Sequence, residues 1–212
     1  MKKILFLIML CGCLSSPVLA MDVKPADIIC WRSDTLKFAG INLSVPLLER
    51  IYGEPLLTHA GIVVDKDGRL RTSIQGEGVS ESTIEDRKTQ FNMGVLLRNS
   101  SLTEGQIESV VETAYGLEGA YDWGGYNGQV MDYLYRFPWM PEQRFFTRLF
   151  EDDTEYYCSE FTALSFECNA IGVSAREPSL TSPLDLYYYA LDEDKGWKVI
   201  YTWFEGMEEG TT

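Results

Sequence analysis

The chain contains one histidine, His59, in 212 residues. That scarcity excludes His-x-x-x-His metal sites, two-histidine relays and histidine-rich metal centres. Basic residues are also few. Eighteen Lys and Arg stand against 32 Asp and Glu, for a formal charge of −14. Such a surface repels phosphate backbones, which argues against nucleic-acid partners and makes neutral or cationic guests the easier ones to attract. Long hydrophobic runs are missing too: the apolar run Ile4–Leu10 is too short to span a bilayer. There is no internal repeat and no linker rich in Pro or Gly. The length suits one domain with a proper core. With ligand types this sparse, neither a metal nor an organic cofactor is implied.

Five cysteines are present, two of them, Cys11 and Cys13, near the start. Lys2-Lys3, the apolar run and the small residues beyond it have the layout of an exported protein's signal peptide over residues 1–20, with a mature domain over 21–212. Two processing sites compete. Val18-Leu19-Ala20 before Met21 offers an ordinary cleavage site. Leu10-Cys11-Gly12-Cys13 reads as a lipobox, which would leave Cys13 lipidated and the protein anchored to a membrane. Either route delivers the domain to the periplasm or cell envelope. Cleavage after Ala20 leaves Cys30, Cys158 and Cys168, an odd number for an oxidising compartment. A Cys30–Cys168 bridge would leave Cys158 as the free thiol.

Hydropathy patterning outlines the elements. Ala26–Trp31 reads as a first strand, Val45–Tyr52 as a short helix stopped by Gly53, and Leu57–Val64 as a buried strand. Asp67-Gly68 turns the chain back into a paired strand over Arg69–Gln75. Met93–Arg98 is another strand. Thr103 and Gln106 form a capping box ahead of a helix whose buried stripe is Ile107, Val110, Val111, Ala114 and Leu117. Residues 121–157 hold 12 of the 27 aromatic residues. This stretch opens on a turn-like Tyr121-Asp122-Trp123-Gly124-Gly125 and continues as a helix over Gln129–Phe137. It predicts either a covering wall of a substrate cleft or a satellite core. Pro183–Leu191 is a helix with Pro at its first position, Trp197–Trp203 a last strand, and Glu205–Thr212 an acidic tail.

The chemistry concentrates on Tyr156-Tyr157-Cys158-Ser159-Glu160-Phe161. Phe161, Leu164, Ser165, Cys168 and Ile171 are spaced as one helical face, with Gly172 as a stop. Cys158 then falls at a helix start, where free N–H groups and the helix dipole favour thiolate over thiol. The competing reading is a buried small hydrophobe, which most free cysteines are. His59 opens a strand, and Ser73, Gln75 and Glu77 share one face of the neighbouring strand. These are the parts of a nucleophile, a base and an orienting group.

Ala26-Asp27-Ile28-Ile29, Thr58-His59-Ala60-Gly61-Ile62-Val63-Val64, Tyr121-Asp122-Trp123 and Tyr157-Cys158-Ser159-Glu160-Phe161, in that order, resemble the circularly permuted papain-like amidases of the NlpC superfamily, specifically its YiiX/YebB-like branch. In ordinary NlpC-type peptidases the Cys helix precedes the His strand; here it follows. The resemblance implies an α+β fold: a small, mostly antiparallel sheet against the Cys158 helix, with an aromatic-rich helical insertion. It also implies Cys158 as nucleophile and His59 as general base. Relatives carry Glu where Gln75 aligns, so Gln75 becomes the third residue, with Glu77 as the alternative. Tyr157, Tyr121 and Trp123 become candidate substrate contacts. The expected activity is hydrolysis of an amide in peptidoglycan stem peptides or small peptides through an acyl-thiol. A lipid-directed acyltransferase or lipase, and an inactive envelope binding module, are the other two classes.

Overall fold

The computed structural model describes residues 22–88, 91, 93–135, 144–150, 152, 154–204 and 207–209. The leader, with Cys13 and both processing sites, lies outside the described residues, as does the expected helix beyond Tyr135. In chain order the strands are β1 (Ile28–Arg32), β2 (Thr35–Phe38), β3 (Ile41–Ser44), β4 (His59–Val63), β5 (Arg69–Ile74), β6 (Gly78–Thr83), β7 (Met93–Asn99), β8 (Trp197–Phe204) and β9 (Met207–Glu209). The helices are α1 (Val45–Tyr52), α2 (Ile84–Lys88), α3 (Glu104–Gly116), α4 (Trp123–Leu134), α5 (Phe145–Phe150), α6 (Cys158–Glu167) and α7 (Pro183–Ala190).

The architecture is α+β. Seven strands make one sheet in the order β6-β5-β4-β1-β7-β8-β9, every described pair antiparallel, while β2 and β3 form a separate hairpin. β1 sits at the centre. Its Ile28-Ile29-Cys30-Trp31 is buried on both faces, as a continuous apolar run predicts for a covered strand. Ile28 and Cys30 join Ala60, Ile62, Val95 and Leu97 beneath Phe161 and Phe166 of α6, Val110 of α3 and Leu184 of α7. Ile29 and Trp31 point the other way, to Val63, Leu70, Leu96, Ile84 and Trp203. A third cluster joins Leu36, Val45 and Leu48 to Tyr121, Tyr126, Tyr133 and Tyr157, so the aromatic segment covers the hairpin and α1.

Local signals account for most element ends. Ser44 caps α1, and Gly53 closes it at φ 72°. The capping box at Thr103 and Gln106 forms, as does a second one at Ser182 and Asp185 ahead of α7. Several expectations need correction. α6 ends at Glu167, not near Gly172; Cys168 caps it and Ala170 takes the left-handed conformation at φ 56°. Nor does the helix bury a single face. Thr162 and Ala163 are as buried as Phe161, whereas Cys168 is exposed, because α6 lies between the sheet and the Pro178–Leu180 turn. Cys30 is buried in the sheet and Cys168 is exposed at the helix end; both are free thiols, so the expected bridge between them is not made.

The Tyr121–Gly125 turn is instead the start of α4, with Asp122 accepting a hydrogen bond from the Gly125 N–H at 2.8 Å. Gly124 reads as a turn signal, but it and Gly128 serve close contact between helices. A Cβ on Gly124 would sit 2.0 Å from the Phe150 carbonyl oxygen, and one on Gly128 would sit 2.6 Å from that of Phe146. The β2–β3 hairpin, β6 and α2 had no periodicity strong enough to reveal them. In the acidic tail, Met207–Glu209 pairs with β8.

Candidate active site

Cys158 opens α6 and is 3% exposed. The segment entering the helix is fixed from two sides. Ser73 Oγ on β5 donates to the Tyr156 carbonyl at 2.5 Å, and the Tyr157 hydroxyl donates to the Ser179 carbonyl at 2.5 Å. Ser159 Oγ donates to the Thr181 carbonyl at 2.7 Å. Tyr157 is thus fully buried and structural, which removes it from the candidate substrate contacts.

Burial dominates the thiol and pushes it up to about 11; the N–H groups of Ala60, Ser159 and Cys158 itself pull in the opposite direction. The sequence argument had this sign reversed. A helix start does supply donors, but α6 is sunk so deeply that desolvation of a thiolate outweighs them. Cys30, the cross-strand partner of Ala60, is a close neighbour. Burial, and then the charge Cys158 would carry, raise its pKa.

His59 is cross-strand partner to Trp31, with ring centroids 5.1 Å apart. Phe91 stacks on it at 6.1 Å and 13° and also lies 5.5 Å from Trp31, so the three rings form one cluster. The imidazole's hydrogen bond goes from Nε2 to Thr72 Oγ1, 3.0 Å away. Thr72 Oγ1 donates its only proton to the Ala60 carbonyl at 2.5 Å. Its oxygen therefore accepts from Nε2–H, which fixes the tautomer and leaves Nδ1 as the unprotonated nitrogen. Burial, followed by repulsion from Arg87, lowers the ring's pKa to about 3.

Neither expected orienting residue fills that role. β5 ends at Ile74, so Gln75 lies in the turn beyond the strand, whereas Thr72 is on the strand itself beside His59. Gln75 hydrogen-bonds instead with the Tyr121 and Tyr126 hydroxyls. Glu77 lies in the field of Arg87. Thr72 was missed because it reads as an ordinary β-branched strand residue.

Among the described residues no hydrogen bond joins the Cys158 thiol to His59, and the two groups open onto different spaces. Cys158 borders a cavity of about 50 Å³ with Leu56, Tyr126, Val130 and Leu184. His59 borders a cleft of about 340 Å³ with Gln75, Lys37, Asn42, Arg87 and Tyr121. Leu36, Thr58 and Tyr126 border both, so the two spaces adjoin. The cleft's described lining holds two cations and no carboxylate, a local reversal of the chain's negative charge. Tyr121 lines it, whereas Trp123 is exposed and sits edge-on to Tyr121 at 5.2 Å. No cluster of three or more His, Cys, Asp or Glu able to hold a metal occurs among the described residues. No protein-family model matches the chain, and no curated protein matches it in sequence.

Proposed function

We propose that this protein is a cell-envelope thiol hydrolase of the permuted papain-like type, cleaving an amide bond in peptidoglycan stem peptides or small peptides. The observation that carries the reading is the peptide group between His59 and Ala60. Its N–H reaches the Cys158 sulfur, and the imidazole attached to its other end keeps Nδ1, the nitrogen nearer the main chain, as the free base. Cys158 Sγ would attack the amide carbonyl carbon while Nδ1 takes the thiol proton and delivers it to the departing amine. Water would then hydrolyse the thioester with Nδ1 again as base, releasing a carboxylate and restoring the thiol. The N–H groups gathered around the sulfur, that of Cys158 first, are suited to the oxyanion; losing one such donor typically costs ~10²–10³ in rate. Thr72 would hold the ring in its working tautomer. Lys37 and Arg87 make the His59 cleft hospitable to carboxylate-bearing peptides, and stem peptides are of that kind.

Burial raises the Cys158 thiol and lowers the His59 imidazole, and both shifts disfavour a standing thiolate–imidazolium pair in the unliganded protein. The proposed reactant state is therefore neutral, with proton transfer accompanying attack. Those same shifts favour a second reading, an envelope binding module in which the pair does no chemistry. Incubation with purified peptidoglycan separates the two. New amines released by wild type and not by Cys158→Ala support the hydrolase; equal release by both rules it out.

A further inference from the structure

The cavity beside Cys158 bears on which acyl group the thiol can carry, an inference that rests on the hydrolase reading above. A group bonded to Sγ has that cavity as its adjoining space. Its walls are chiefly aliphatic and aromatic, and three of its polar members are held by protein partners. The Gln129 amide donates to the Thr181 carbonyl at 2.8 Å, Arg144 reaches Asp185 at 2.6 Å, and Thr58 Oγ1 accepts from the Ser33 N–H at 3.0 Å. A polar substituent there would lose its water against walls that are mostly apolar. Size is equally restrictive. An apolar cavity of ~150 Å³ takes benzene, and this one offers about 50 Å³. Close-packed walls do not yield to extra methylenes without strain.

We infer that the acyl group transferred to Cys158 carries a small alkyl substituent, of methyl to isopropyl size, so that alanine-like acyl donors are accepted and long acyl chains are excluded. This also separates amide hydrolysis of peptides from lipid acyl transfer at the same thiol.

The test is a series of p-nitrophenyl esters, from acetate through propionate, butyrate and hexanoate to octanoate. Acylation of Cys158 is followed by mass spectrometry and normalised to the exposed Cys168 in the same sample. The expected result is a fall of at least tenfold from propionyl to hexanoyl. Val130→Ala, which removes wall from the cavity, should move that fall to longer chains, and Leu56→Ala does the same if the first variant folds poorly. Hexanoyl or octanoyl transfer as fast as propionyl overturns the inference, as does an unchanged series in the folded variants. Acylation of Cys168 alone, at every chain length, ends the nucleophile reading and this inference together.

Discussion

Two spaces flank the start of β4, and they differ in nearly every physical respect. The one at Cys158 is small and mainly apolar; the one at His59 is about seven times larger, polar and lined by Lys37 and Arg87. The strand's period of two produces the contrast, since Ala60 faces the α6 layer while His59 faces Trp31 and Thr72. Adjacent residues therefore see different dielectrics and different partners. For a hydrolase the division separates an acyl pocket from a charged cleft, with the nucleophile and the base on either side of one peptide group.

The largest expected effect tests whether both spaces belong to one reaction. Cys158→Ala and His59→Ala should each lower amide hydrolysis by about 10³-fold or more, and the double variant should lose little beyond either one, as groups acting together do. Full activity in His59→Ala would detach the cleft from the chemistry. Next in size are the two layers themselves. Phe161→Ala on the α6 side and Trp31→Ala on the His59 side each empty a fully buried site, and each should cost about 3–5 kcal/mol in urea unfolding. Trp31→Ala should in addition raise the imidazole pKa measured by NMR, because the ring loses part of its apolar cover.

A pH series sharpens the same contrast. His59 stays neutral in the folded protein down to about 3, whereas an unfolded histidine takes a proton below ~6.5. The contribution is fully present above pH 6.5 and is lost as the pH falls toward 3, at about 1.4 kcal/mol per pH unit. His59→Gln should flatten that slope in denaturant titrations. The smallest effect concerns the orienting group. Thr72→Val keeps the shape and removes the hydroxyl, and should cost about 1 kcal/mol of stability. It should also perturb the imidazole titration, which Gln75→Ala should leave unmoved; the reverse pattern would return the orienting role to Gln75.

Local signals made much of this fold legible. The caps at Ser44, Thr103 and Ser182, the Asp67-Gly68 turn and the apolar run of β1 each act within a few residues, so the sequence displays them directly. What depends on distant neighbours did not show. Gly124 looks like a turn residue until the α5 backbone is known to approach it and Gly128. Cys168 sits at helical spacing from Phe161 yet faces solvent, because α6 stops one residue before it. The two chemical groups were identifiable from scarcity and position: His59 because there is no other histidine, Cys158 because a helix starts there. The depth at which α6 is buried, and with it the sign of the thiol's shift, is a property of packing. Thr72 was hidden for the same reason, since only strand register brings it to Nε2.

The most direct test is alkylation of Cys158 in the free protein as a function of pH, in wild type and His59→Ala, read by mass spectrometry with Cys168 as an internal reference. The account predicts slow labelling of Cys158 at neutral pH, a rise centred near pH 11, and the same profile in the variant. Fast labelling at neutral pH that disappears in His59→Ala would contradict it, because thiolate and imidazolium would then already be paired before any substrate arrives.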